Sequence, residues 1–131
     1  QSFLREAILN NYIISSHDVS DGGLAVSLSE SCILSSKGAT IKLDSKNTRE
    51  DTLLFSEGGS RIIFTINKTA ETNFLNFFNN KSTNFGTNIY LKKLGFVSKG
   101  NLNISVENKE LCNIRVDELS EKFNNSISIH F

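Results

Sequence analysis

The apolar period of this chain switches from strand to helix within a few residues after Ser16, and that switch constrains the fold more than any other feature. Tyr12-Ile13-Ile14-Ser15-Ser16 is an aromatic, β-branched run of strand length. Leu24, Ala25, Leu28, Cys32 and Leu34 recur instead at helical spacing. The segment between them, His17 to Gly23, is polar and ends in two glycines, which predicts a tight turn that feeds a helix.

The flanking segments continue the alternation of helix and strand. Phe3, Leu4, Ala7 and Ile8 follow Ser2, a good N-cap, and predict a short amphipathic helix over residues 3–10. Ser35-Ser36-Lys37-Gly38 reads as the end of the second helix, with Gly38 supplying the left-handed turn, and Ala39 to Leu43 as a strand. Residues 44–52 are polar and lead into a short helix or turn before Leu53-Leu54-Phe55. Arg61 to Ile66 is nearly continuous in apolar character, which predicts a strand covered on both faces. Thr69 or Thr72 can cap a helix carrying Ala70, Phe74, Leu75, Phe77 and Phe78, an aromatic stripe expected to pack on the sheet. A connection over residues 79–88 precedes a strand over 89–97, and Leu102 to Val106 with Glu110 to Val116 forms a hairpin around Glu107-Asn108-Lys109. Asp117 then caps a last helix with Leu119, Phe123 and Ile127 as its seam. This order of elements predicts an α+β fold, a layered α/β sandwich with a mixed sheet.

Composition excludes several classes of function. The 131 residues suit one domain, large enough to fold without disulfide or metal staples. Cys32 and Cys112 are far apart, and His17 and His130 sit at opposite ends, so neither a disulfide scaffold nor a zinc site is expected. Fourteen basic residues balance fourteen acidic ones, which argues against a nucleic-acid partner. No apolar run approaches the roughly 20 residues that span a bilayer, and no signal peptide is visible, so a cytoplasmic chain with no membrane partner is expected.

The turn is where chemistry is expected. At a strand-turn-helix junction the free N–H groups of the first helical turn carry partial positive charge, and bare glycine backbone lets a phosphate approach. Carboxylates beside such a site repel phosphate unless a divalent cation lies between. Asp18 and Asp21 therefore point to a magnesium-assisted nucleotide or phosphosugar site, with both as candidate metal ligands. The plainer alternative makes Ser20 or Asp21 the N-cap, with His17 packed against the helix, and spacing alone favours it because Asp-Gly-Gly turns are common. On the ligand reading, Asp21→Asn and Gly23→Val are expected to spare stability, since the carboxylate and bare backbone serve a ligand more than the core. A second polar cluster, Leu54-Phe55-Ser56-Glu57-Gly58-Gly59-Ser60-Arg61, precedes an apolar strand. Alone it reads as a loop in which Glu57 and Arg61 can neutralise one another. Neither cluster pairs a nucleophile with a base, which disfavours a hydrolase triad.

Ser16-His17-Asp18-Val19-Ser20-Asp21-Gly22-Gly23-Leu24-Ala25-Val26 closely resembles the signature of the C-terminal domain of the phosphoribosylformylglycinamidine synthase family. Leu54-Phe55-Ser56-Glu57 with Ser60-Arg61 is similar to that family's second signature, and Val116 to Glu121 to its terminal helix. The chain departs from the pattern at Gly58-Gly59, where a Ser and a variable residue are expected, and in a tail without proline. The resemblance implies that residues 1–131 form a single AIR synthase-related C-terminal domain, a fragment of a longer synthetase, as the absence of Met at Gln1 also suggests. It implies ATP and Mg2+ as cofactors of the whole enzyme and formylglycinamide ribonucleotide as substrate. The implied partners are an N-type ATP-binding domain of the same enzyme and a glutamine amidotransferase subunit or domain. By the same resemblance His17, Asp18, Ser20, Asp21, Gly22 and Gly23 line a cleft near the phosphates, and Glu57, Ser60 and Arg61 form or brace its rim. The related aminoimidazole ribonucleotide synthase and thiamine monophosphate kinase share the architecture, and a non-catalytic assembly domain is the remaining alternative.

Overall fold

The computed structural model describes residues 2–82 and 89–128. The chain divides into two compact units, Gln1–His17 with Ile62–Lys92, and Asp18–Arg61 with Lys93–Phe131.

The first unit contains α1 (Ser2–Leu9), β1 (Ile13–Asp18, whose last residue opens the second unit), β3 (Ile62–Ile66), a 3-10 turn at Lys68–Ala70, and α4 (Glu71–Ser82). Its core is aromatic. Phe3, Ala7 and Phe74 are buried, and Tyr12, Phe64, Phe77 and Phe78 pack around them. Phe3 meets Phe78 edge-on at 5.4 Å and 88°, and Phe64 meets Phe74 at 5.5 Å and 66°, the geometry that the ring quadrupoles favour. The expected stripe on α4 is thus core, except that Leu75 turns outward.

Three expectations in this unit are corrected. β3 is not covered on both faces: Ile62 is 40% exposed and residues 63–66 are half-buried, and among the described residues the strand pairs with β1 in a two-stranded sheet. Neither Thr69 nor Thr72 is the cap. Thr69 lies in the 3-10 turn and Thr72 inside α4; Asn67 caps the 3-10 turn that leads into α4, its side-chain oxygen accepting the Thr69 N–H at 3.1 Å and the Thr69 hydroxyl at 2.9 Å, as a short amide side chain can reach backbone two residues on. The strand expected over 89–97 is confined to Gly95–Ser98, because Ile89 and Leu91 are drawn into the aromatic cluster and leave the ladder. Residues 83–88 of the expected connection lie outside the described residues, while 79–82 continue α4.

The second unit holds α2 (Gly23–Ser35), β2 (Gly38–Leu43), α3 (Glu50–Phe55), β4 (Gly95–Ser98), β5 (Asn101–Val106), β6 (Lys109–Arg115) and α5 (Val116–Ser128). Its strands form one mixed sheet in the order β4-β2-β5-β6, with β2 parallel to β5 and both outer pairs antiparallel. Ala39, Ile41 and Leu43 lie beside Leu102, Ile104 and Val106 in register, so one face of the sheet is a continuous apolar surface, and all six are buried. Leu24, Leu28 and Cys32 are the buried face of α2, which packs against α3 and α5. The architecture is α+β with a mixed sheet, as expected.

Local chemistry explains the element ends. Glu107 and Asn108, both at positive φ, make the two-residue turn between β5 and β6. Asp117, expected as the cap, is instead the second residue of α5, which starts at Val116, and it accepts the Glu118 N–H at 2.9 Å. The left-handed residue that ends α2 is Ser36, at φ 53, and not Gly38. Gly38 lies in β2, where a Cβ would stand 2.1 Å from the Asn101 carbonyl, so its bare backbone serves strand contact and not the turn. Four α2 serines, Ser27, Ser29, Ser31 and Ser35, each donate to the carbonyl four residues back, which satisfies their hydroxyls within the helix. Leu34, assigned to the apolar stripe of α2 from spacing, is 80% exposed.

Candidate functional site

The residue that opens α2 is Gly22, with φ 77 and ψ 1, and no side chain caps the helix. The capping role considered for Ser20 or Asp21 is therefore excluded. The turn is closed by backbone alone: the Gly23 N–H donates to the Ser20 carbonyl at 3.0 Å. The N–H of Gly22 donates to Glu57 Oε1 at 2.9 Å, 35 residues away. The Val19 N–H donates to the Arg61 carbonyl at 2.9 Å, and the Val19 side chain is buried. Gly23 completes the joint by close approach, since a Cβ there would stand 2.7 Å from the Phe55 carbonyl carbon and 2.8 Å from the Leu54 oxygen. The two polar glycine-bearing segments are thus bound to each other at three points.

This joint corrects one expectation. Gly23 is buried, at φ +70, and faces backbone that cannot turn aside, so its bare backbone serves packing as well as any ligand. A valine there has no room.

Side chains at the joint fall into two groups. Asp18, Ser20, Asp21 and Ser60 are exposed, and Gly22 is half-buried. Glu57 is exposed as well, but its carboxylate is engaged with Gly22. Arg61 is half-buried, and its Nη2 donates to the Ser56 carbonyl and stands 3.4 Å from the Ser56 hydroxyl, while its Nε is buried with no hydrogen-bond partner. Glu57 and Arg61 therefore do not pair with each other. His17 is half-buried on β1 and closes the first unit. The joint also uses a residue that composition and spacing had not singled out. Ser27, 1% exposed, shares its hydroxyl proton between the Gly23 carbonyl at 3.0 Å and the Asp18 carbonyl at 3.2 Å. The only signal for it in the sequence is a serine on the apolar face of α2, between Leu24 and Leu28.

Among the described residues no three His, Cys, Asp or Glu side chains gather as a metal cage. Asp18 and Asp21 are both exposed, and carboxylates suit Mg2+, which keeps water and phosphate oxygens in its shell, better than they suit zinc. Burial pushes the Cys32 thiol pKa up, which removes it as a nucleophile near neutral pH. No helix among the described residues is long and apolar enough to cross a membrane.

The chain is thus of the class of α+β domains with a mixed sheet, and it carries a backbone-closed glycine turn at a helix start that is bound to a second glycine loop. The chain belongs to the family described as AIR synthase related protein, C-terminal domain, whose model matches residues 2–110. It is 69% identical over 131 residues to phosphoribosylformylglycinamidine synthase subunit PurL of Prochlorococcus marinus strain MIT 9515, covering 100% of this chain and 17% of that protein. It is 38% identical over 128 residues to the protein of the same name from strain MIT 9313, covering 97% of this chain and 16% of the relative. The fold matches T. maritima PurL complexed with ATP, with a TM-score of 0.75 and 15% identity over 91% of this chain and 20% of that one. A structure of PurLQS from Thermotoga maritima matches equally well, with a TM-score of 0.75, 15% identity and the same coverage of 91% and 20%. The chain thus spans about a sixth of the length of these curated relatives.

Proposed function

We propose that this chain is the C-terminal domain of a phosphoribosylformylglycinamidine synthase, a cytoplasmic ligase of purine biosynthesis. The whole enzyme converts formylglycinamide ribonucleotide to the amidine with ATP and glutamine-derived ammonia. The observation that carries the reading is the 69% identity to a relative of that name along all 131 residues. Relatives solved with ATP and with FGAR, and in a PurLQS assembly, support a nucleotide, this substrate and an amidotransferase as partners. The N-type ATP-binding domain is proposed as the companion of residues 1–131, which act together as one C-type domain and are inactive alone.

In this reading ATP, when bound, supplies the phosphoryl group that makes the formyl amide oxygen displaceable by ammonia. Asp18 and Asp21 would hold Mg2+ with phosphate oxygens completing its shell, and Ser20 and Ser60 offer hydroxyl donors to the same ligand. His17, Gly22 and Gly23 shape the turn that faces it, while Glu57 and Arg61 brace the rim. The test is the full-length protein supplied with formylglycinamide ribonucleotide, ATP, Mg2+ and ammonia, followed by complementation of a purine auxotroph lacking this synthetase. Amidine formation and growth are expected. No amidine, with rescue of a thiamine or aminoimidazole ribonucleotide mutant instead, overturns the reading.

A further inference from the structure

We infer that Glu57 is a positioning residue: its carboxylate holds the backbone of the Asp18–Gly23 turn in place through Gly22 and does not itself bind the ligand. The inference rests on the proposed function only for its activity arm. Three facts carry it. The first is the bond itself, from the Gly22 N–H to Glu57 Oε1 at 2.9 Å, which gives the residue that opens α2 an acceptor 35 residues away. The second is that Gly22 sits at φ 77, in the left-handed region, so the peptide carrying that N–H has a defined direction that the bond can fix. The third is that the same loop grips the turn twice more, through the Arg61 carbonyl on the Val19 N–H and through the Phe55 backbone against Gly23.

The chemistry of the contact also argues against a ligand role. A carboxylate placed on the first free donor of α2 sits where a phosphate would otherwise be drawn, and two anions cannot share one N–H. While Glu57 holds Gly22, ligand oxygens are left to Ser20, to Ser60 and to a cation on Asp18 and Asp21. A carboxylate and a carboxamide present the same oxygen to an N–H, so Glu57→Gln keeps the acceptor and discards the charge, whereas Glu57→Ala discards both.

The experiment uses the full-length protein. We expect Glu57→Ala to lower kcat about tenfold, the loss expected of a hydrogen bond to a charged group, and to speed amide hydrogen exchange across residues 19–24. Glu57→Gln should recover most of the lost rate and return the exchange towards wild type. Equal loss of activity in Gln and Ala variants, with exchange protected in the Gln variant, would make Glu57 a ligand or proton-transfer group and overturn the inference. So would an Ala variant whose folded fraction keeps the wild-type kcat. If the wild-type protein forms no amidine, the proposed function fails and the exchange arm still decides the brace: protection lost in Ala and restored in Gln supports it, protection unchanged in Ala refutes it.

Discussion

Gly23→Ala tests the joint between the two loops directly. The new methyl meets the Phe55 carbonyl carbon at 2.7 Å, the Leu54 oxygen at 2.8 Å and Phe55 Cα at 2.8 Å, all backbone atoms that no rotamer change can remove. A left-handed conformation costs a side chain about 1–2 kcal/mol. Forced overlap in a packed region adds about 1–3 kcal/mol, and the reduced freedom of the unfolded chain returns about 0.4–1 kcal/mol. A net loss of about 1–5 kcal/mol is expected, well resolved in urea unfolding curves with an unchanged slope. Gly58→Ala is the control, since no atom lies within 4 Å of a Cβ there and its φ is not positive. It should stay within about 0.5 kcal/mol of wild type. Gly58→Ser should behave alike, which would reconcile this chain with the serine of the family pattern. A Gly23→Ala variant as stable as Gly58→Ala would show that the loops do not touch as described.

Asp21→Asn should leave the unfolding midpoint nearly unchanged, because the side chain is exposed and caps nothing, while sharply reducing amidine formation by the full-length enzyme. In the native chain Cys32 should resist a thiol reagent at neutral pH, since it is buried and its pKa is raised by burial; complete labelling of both cysteines is expected only in denaturant, and fast native labelling of Cys32 would contradict its place in the core. Cys112, also raised by burial and then by Glu110, should react slowly. The Asp117 pKa is lowered, chiefly by its hydrogen bond from Arg115. Its contribution to stability is therefore present above the unfolded value of about 3.9 and is lost as pH falls through the lower folded value. Arg115→Gln should raise the Asp117 titration midpoint measured by carboxyl NMR, and an unmoved midpoint would refute the pairing.

What was legible in the sequence was what neighbouring residues decide. The β5–β6 hairpin was readable because Glu107-Asn108 carries its own turn geometry, and the aromatic stripe of α4 because Phe74, Phe77 and Phe78 recur at helical spacing. The end of α2 was misplaced because the obvious glycine, Gly38, is held for a strand contact with Asn101, which no local pattern reveals, and Ser36 accepts the left-handed position in its stead. The strand expected over 89–97 shortened for a similar reason, since Ile89 and Leu91 pack on an aromatic cluster built from distant residues.

The candidate site divides along the same line. The turn follows from the polar, glycine-ending run alone, although β1 runs on through His17 and Asp18 and leaves the turn to residues 19–22; its hydrogen bonding does not follow. A short polar side chain beside a helix start normally caps it, and Ser20 and Asp21 both offered one. Here the turn is closed by the Gly23 N–H on the Ser20 carbonyl, and the Gly22 N–H donates to Glu57, 35 residues away. That arrangement leaves the Ser20 hydroxyl and the Asp21 carboxylate exposed and uncommitted to the helix. With no local cap formed, the Ser20 and Asp21 side chains stay outside the hydrogen bonding of the helix start, while Glu57 reaches the turn from 35 residues away.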